Sequence, residues 1–140
     1  PPATMAVDPK AAGALLFFAF LALFAFLLFR ALAPRAPPPV LSPSEFRPFP
    51  LAAKSHPSAN TVLLTFALPP PHANLPLGLP VGRHISVRAT VAGKEVRRPY
   101  TPVSAVDVCG KFELLVKVYP EPYGAMSRYL GALEVGESVD

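Results

Sequence analysis

The residues best equipped for chemistry lie between Val96 and Ser104, where the chain reads V-R-R-P-Y-T-P-V-S. In an extended strand residues two apart share a face, so Arg98 and Tyr100 point one way and Pro99 and Thr101 the other. A guanidinium can hold a phosphate through two parallel hydrogen bonds, and a phenol ring can lie against an aromatic system while its hydroxyl finds a polar partner. The run therefore suits a planar, anionic ligand, and a flavin dinucleotide has both parts. A basic strand end followed by a proline turn accounts for the same residues, so the run needs its context.

A second phosphate-directed feature follows at Gly124-Ala125-Met126-Ser127. Ser127 is expected to cap a short helix over residues 128–133, closed by Gly136. A helix start attracts anions through its dipole and its unpartnered N–H groups, although glycine and serine also begin helices for capping alone. Arg98 on a strand and this helix start could grip a pyrophosphate from two sides.

The elements that must position these residues read as strands. Residues 61–68 alternate so as to bury Val62, Leu64, Phe66 and Leu68, residues 84–91 to bury Ile85, Val87, Ala89 and Val91, and residues 112–119 to bury Phe112, Leu114, Val116 and Val118. Leu115 and Lys117 then share the opposite face. Ala92-Gly93-Lys94 reads as a hairpin, and strands spaced by about a dozen residues with Gly and Pro turns favour an antiparallel barrel over a parallel sheet.

The chain has 140 residues, a formal charge of +4 and 51% hydrophobic residues, which bounds it to one ordinary domain plus an appendage. Its single cysteine, Cys109, cannot form an internal disulfide, and His56, His72 and His84 are too scattered for a metal site, so no metal is expected. The appendage is the uncharged run 11–29, roughly 28 Å long as a helix and close to the thickness of a bilayer core. It reads as a membrane anchor. Ala31-Leu32-Ala33 also has the form of a signal cleavage site, but the apolar run exceeds the usual signal core, and a helix apolar all round is a core helix only in a large protein. Arg30 and Arg35 against Lys10 leave the bulk of the protein on the cytosolic side by the positive-inside rule.

Four segments follow: a tail over 1–10, a transmembrane anchor over 11–32, a proline-rich linker over 33–50 expected to act as a stiff spacer, and a barrel domain over 51–140.

Taken together, Leu77–Ser86, Arg98–Ser104, Leu115–Tyr119 and Met126–Leu130 resemble, in order, the N-terminal part of the NADH–cytochrome b5 reductases, within the ferredoxin-reductase-like flavoproteins. The resemblance covers roughly residues 41–140. It implies an all-β antiparallel Greek-key barrel that binds FAD, with one short C-terminal helix, behind a single N-terminal transmembrane helix. By the same resemblance Arg98 binds the FAD pyrophosphate, Tyr100 lies against the flavin, Thr101 places a hydroxyl near flavin N5 as the catalytic position, and Pro99 adds a backbone contact. Leu115 and Lys117 touch the cofactor, Gly124, Met126 and Ser127 supply the phosphate-binding helix start, and Ser104 completes the cofactor set. His84 is read as structural.

The implied activity is electron transfer from NADH through FAD to a haem carrier such as cytochrome b5, at the cytosolic face of the endoplasmic reticulum or the mitochondrial outer membrane. A pI of about 9.5 suits an acidic carrier. Two features depart from the family. Only residues 120–125 separate the third strand from the helix, where the family has a longer loop. No G-x-G-x-x-G or comparable turn is present, so the expectation is an anchor and FAD domain without the NADH-binding half. The alternatives are a non-catalytic, membrane-tethered FAD-binding or interaction module, and a secreted β-domain without cofactor.

Overall fold

The computed structural model describes residues 9–33 and 37–140, which fall into two units divided between Ala36 and Pro37. Most of the expected tail, together with the Arg35 of the orientation argument, lies outside the described residues.

In the first unit, α1 runs over Pro9–Leu32. Proline opens it where a missing N–H costs nothing, and Arg30 in its last turn complements the dipole. Gly13 and Leu16 to Leu32, the residues of α1 whose burial is described, are all exposed. Among the described residues no helix is long and apolar enough to cross a membrane, so the expected transmembrane anchor over 11–32 is not shown.

The second unit holds β1 (Phe49–Ser58), β2 (Thr61–Ala67), β3 (Ile85–Val91), β4 (Lys94–Tyr100), β5 (Lys111–Lys117), α2 (Ala125–Ala132) and β6 (Ser138–Val139). Four strands form one antiparallel sheet in the order β5-β2-β1-β6, and β3 and β4 form a second. The short β6 joins them, because it pairs with β1 on one side and the Arg88 N–H donates to the Asp140 carbonyl on the other at 2.7 Å. Between β4 and β5 the two sheets stay apart. The expected Greek-key barrel is thus a half-barrel of curled antiparallel sheet, open along one seam.

The alternation read from the sequence places most of the core as expected: Val62, Leu64, Phe66, Leu68, Val87, Ala89, Phe112, Leu114 and Val116 are all buried, whereas Ile85, Val91 and Val118, at or just past strand ends, are only partly buried. Phe112 stacks on Phe66 at 5.2 Å and meets Phe49 edge-on at 5.3 Å, so one ring ties three strands. The β3–β4 hairpin turns through Ala92 and Gly93, both at positive φ, the geometry of a tight turn whose twist matches the strands. Helix α2 packs on β3, β4 and β5 through Met126 and Leu130. Lys54 of β1 donates to the carbonyls of Gly131 and Leu133 at 2.6 and 3.0 Å and so satisfies the helix C-terminus.

Three expectations change. The helix begins at Ala125, not Arg128, with Gly124 as its N-cap, because the Ser127 hydroxyl turns back to donate to the Gly124 carbonyl at 3.0 Å. Gly136 does not close it; the C-cap is Leu133, and Gly136 donates its N–H to Leu51 of β1. The proline-rich segment is no free spacer from Pro37 onward. Val40 is buried in the core, His72 Nε2 donates to the Pro38 carbonyl at 2.8 Å, and Arg47 donates to the Pro39 and Val40 carbonyls. Phe46 carries two guanidiniums over its ring, Arg88 at 4.3 Å and Arg97 at 5.1 Å. Proline forbids a helix here, yet its carbonyls still accept hydrogen bonds, and Val40, Phe46 and Phe49 give the segment apolar anchors.

Candidate functional site

Arg98 and Tyr100 lie on β4 and Leu115 and Lys117 on β5, the two strands that border the open seam, with Thr101 just beyond the end of β4. In β4, Arg98 faces Val87 and Tyr100 faces Ile85 across the ladder, so both lie on the inner face, while Pro99 sits opposite the exposed Ser86. Directly opposed residues of an antiparallel pair share a face, which confirms the strand parity from the partner's side. Arg98 is exposed although its face is the inner one, and β4 leaves one edge unpaired by any strand.

The electrostatics separate Arg98 from its neighbours. Arg88 pairs with Asp140 and Glu95, Arg97 with Glu95, Lys111 with Glu113, and Arg128 with Glu121. Arg98 donates only to the Arg97 carbonyl, at 2.7 Å. Among the described residues neither Arg98 nor Lys117 has a carboxylate within ion-pair reach. Lys117 instead lies 5.5 Å from the centre of the Tyr119 ring. Like Lys94 at the far end of β4, Arg98 and Lys117 are uncompensated, and on the strands that border one seam they leave their charge for an anion.

Tyr100 is half-buried against the core. Burial pushes its phenol above the ordinary value and the Arg98 charge acts in the opposite direction, with burial the larger effect. A folded-state pKa raised above the unfolded one favours the neutral phenol, so the stability it adds is complete below the ordinary phenol range and is lost as pH climbs through the folded value. Thermal melts of the wild-type chain and Tyr100→Phe between about pH 8 and 11 should show the wild type losing more stability at the alkaline end than the variant. Parallel curves would remove this role for the phenol.

Helix α2 brings the third part. No side chain caps it, so the first N–H groups have no partner of their own. Its start is fixed to the chain just past β5: the Ser127 hydroxyl accepts from Tyr119 N–H at 3.2 Å and donates to the Gly124 carbonyl. Ser127 and Met126 are buried, so their side chains belong to the core, and a ligand contact from them would run through backbone N–H. Arg128 bonds the Tyr123 carbonyl and holds the short 120–125 turn against the helix.

Leu115 and Lys117 are exposed on one face of β5, as their parity predicts. Thr101 is exposed beyond the end of β4 and lines a cleft of about 370 Å³ with Leu77, Leu79, Ser104, Val106 and Lys111. Arg98, Tyr100, Leu115 and Lys117 do not line it. His84 stands apart, just before β3, where it lines a separate cleft of about 570 Å³ under residues 40–47. Sequence reading missed how the Phe46 stack and the Arg88–Asp140 pair hold the outer face of β3 and β4. The spacing of Phe46, Arg88 and Arg97 gives no local sign of it.

The arrangement fits a dinucleotide. Guanidinium, ammonium and helix N-terminus form a donor set for a pyrophosphate, and a half-buried phenol beside an exposed threonine hydroxyl suits an aromatic ring with polar edges. The comparisons with known proteins agree. Residues 48–140 match the model of the oxidoreductase FAD-binding domain. Over 100 residues the chain is 48% identical to NADH-cytochrome b5 reductase 1 of Dictyostelium discoideum, covering 71% of this chain and 34% of that protein. Over 119 residues it is 41% identical to NADH-cytochrome b5 reductase 1 of Mortierella alpina, covering 85% of this chain and 38% of that one. Among solved structures it resembles the cytochrome b5 reductase domain of Ulva prolifera nitrate reductase, with a TM-score of 0.64 and 35% identity over 73% of this chain and 40% of that one. The chain spans about a third of the length of these curated relatives. With the half-barrel, its open seam and its uncompensated cations, these matches show that the chain belongs to the oxidoreductase FAD-binding domain family.

Proposed function

We propose that this chain is the FAD-holding part of an NADH–cytochrome b5 reductase-type enzyme that carries electrons from NADH to a haem protein. The observation that carries the reading is the pair of cations without carboxylate partners, Arg98 and Lys117, on the strands that flank the seam beside Tyr100. Arg98, Lys117 and the N–H groups of Ala125–Ser127 hold the pyrophosphate, Tyr100 and Leu115 cover the ring system, and Thr101 presents its hydroxyl to the flavin edge. Bound FAD supplies hydride acceptance and single-electron release. The chain's own residues bind it, orient it and fix the hydrogen bond at its edge.

The experiment is a titration of the purified full chain with FAD, followed by flavin fluorescence and visible absorbance. Saturable binding of one FAD per chain is expected; an unperturbed flavin spectrum at excess protein would sink the reading. NADH turnover is expected only with a nucleotide-binding half supplied.

The same reading places the protein on a membrane, with its barrel on the cytosolic side of the endoplasmic reticulum or the mitochondrial outer membrane. Its support is the uncharged run 11–29 within α1 and the exposure of every described apolar side chain there, Leu16 at 72% and Phe29 at 72% among them. Resistance of the chain to alkaline carbonate extraction checks it, and release into the soluble fraction would remove it.

A further inference from the structure

The seam between β4 and β5 is fastened at one point. Val103 N–H donates to the Glu113 carbonyl at 2.8 Å, and Glu113 N–H donates to the Ser104 hydroxyl oxygen at 3.2 Å. In an ordinary antiparallel bonded pair the second of these bonds would end on a backbone carbonyl. Here a side-chain oxygen takes that place. Among the described residues no other hydrogen bond joins residues 94–106 to β5.

Both ends of this fastening are stiff. Glu113 belongs to a strand paired with β2 along its whole length, and its carboxylate takes a bond from Lys111 at 3.0 Å and one from Thr65 at 3.4 Å. On the other side only Pro102 and Val103 separate Ser104 from Thr101, and Pro102 has its φ fixed by its ring. A displacement of Ser104 is therefore passed directly to Thr101 and Tyr100.

We propose that Ser104 is a positioning residue and not a cofactor ligand: its hydroxyl, by holding Glu113 N–H, sets where Thr101 and Tyr100 stand relative to Leu115 and Lys117, and so sets the width of the flavin slot. The inference rests on the FAD reading. It assigns the hydroxyl to the protein's own backbone, at a partly buried position where an amide left without an acceptor would loosen the seam.

The test compares wild type, Ser104→Ala and Ser104→Thr as full chains. Amide hydrogen exchange at Val103 and Glu113 is read without FAD, and FAD affinity and the visible circular dichroism of bound flavin are read with it. In Ser104→Ala the two amides should exchange about tenfold faster, FAD should bind about five- to tenfold more weakly, and the flavin dichroism should change; Ser104→Thr, which keeps the acceptor, should restore all three. If Ser104→Ala weakens FAD binding while Glu113 exchange in the cofactor-free protein stays at the wild-type rate, the hydroxyl serves the cofactor directly and the proposal is overturned. Faster exchange with unchanged affinity and dichroism also overturns it, since the fastening then holds the seam without setting the slot. A wild-type chain that takes up no FAD defeats the function reading itself, and the exchange arm distinguishes that failure from a failure of the fastening.

Discussion

Arg98→Ala is expected to weaken FAD binding by about ten- to a hundredfold, the equivalent of roughly 1.5 to 3 kcal/mol for a charge-assisted hydrogen bond removed from a phosphate. The prediction is specific because the side chain is exposed and bonds only its neighbour's carbonyl, so its loss removes little from the fold. Arg98→Lys keeps the charge but loses the planar fork, and should fall between alanine and wild type. Arg97→Ala is the internal control. Arg97 sits on the opposite face of β4, pairs with Glu95 at 2.6 Å and lies over Phe46, so its removal should leave FAD affinity within about twofold while costing a little stability. Titrations of the three variants by flavin fluorescence decide the matter. An Arg98→Ala chain that folds and binds FAD like the wild type would falsify the pyrophosphate assignment.

What could be read from the sequence follows from which signals are local. The alternation in residues 61–68, 84–91 and 112–119 is a property of adjacent residues, and it placed the core faces and put Leu115 and Lys117 together. The parity of Arg98 and Tyr100 was legible for the same reason. Strand β1 was not, because Pro50 and Pro57 interrupt its pattern and only Phe49 and Leu51 are buried along it. Strand β6 is two residues long and exists because β1 and β3 both offer it partners. The packing of residues 37–48 depends on His72, Arg88 and Arg97, all distant in sequence. Ser127 illustrates the limit at the site itself. Its type suggested a cap, but the hydroxyl is spent on Tyr119 N–H and the Gly124 carbonyl, which only the approach of α2 to the end of β5 could reveal.

That approach is also where a single methyl group should do the most damage. Gly124 sits at φ 67° and ψ 34°, the left-handed region, and a Cβ there would fall 2.6 Å from Ser127 Oγ, 2.7 Å from Tyr119 Cβ and 3.0 Å from the Tyr119 carbonyl oxygen. Two of these three neighbours are atoms close to the backbone and cannot swing aside as the tip of a long side chain would. The left-handed backbone alone costs a residue with a Cβ about 1 to 2 kcal/mol. Relief of the contacts requires α2 to move away from Tyr119, which breaks the Ser127 bonds and draws Leu130 and Met126 out of the core. Gly124→Ala should therefore lower the melting temperature of the barrel by about 10 °C or more, since 1 kcal/mol is worth about 4 to 8 °C in a domain of this size. It should weaken FAD binding as well, because the same N–H groups leave the seam. Gly82→Ala separates the two causes. Gly82 also has a positive φ, 78°, but nothing stands within 4 Å of its Cβ position, so it should show the backbone cost without the collision. Equal melting temperatures for Gly124→Ala and Gly82→Ala by far-ultraviolet circular dichroism would mean that the collision is absorbed, and that α2 is not held to β5 as tightly as the Ser127 bonds imply.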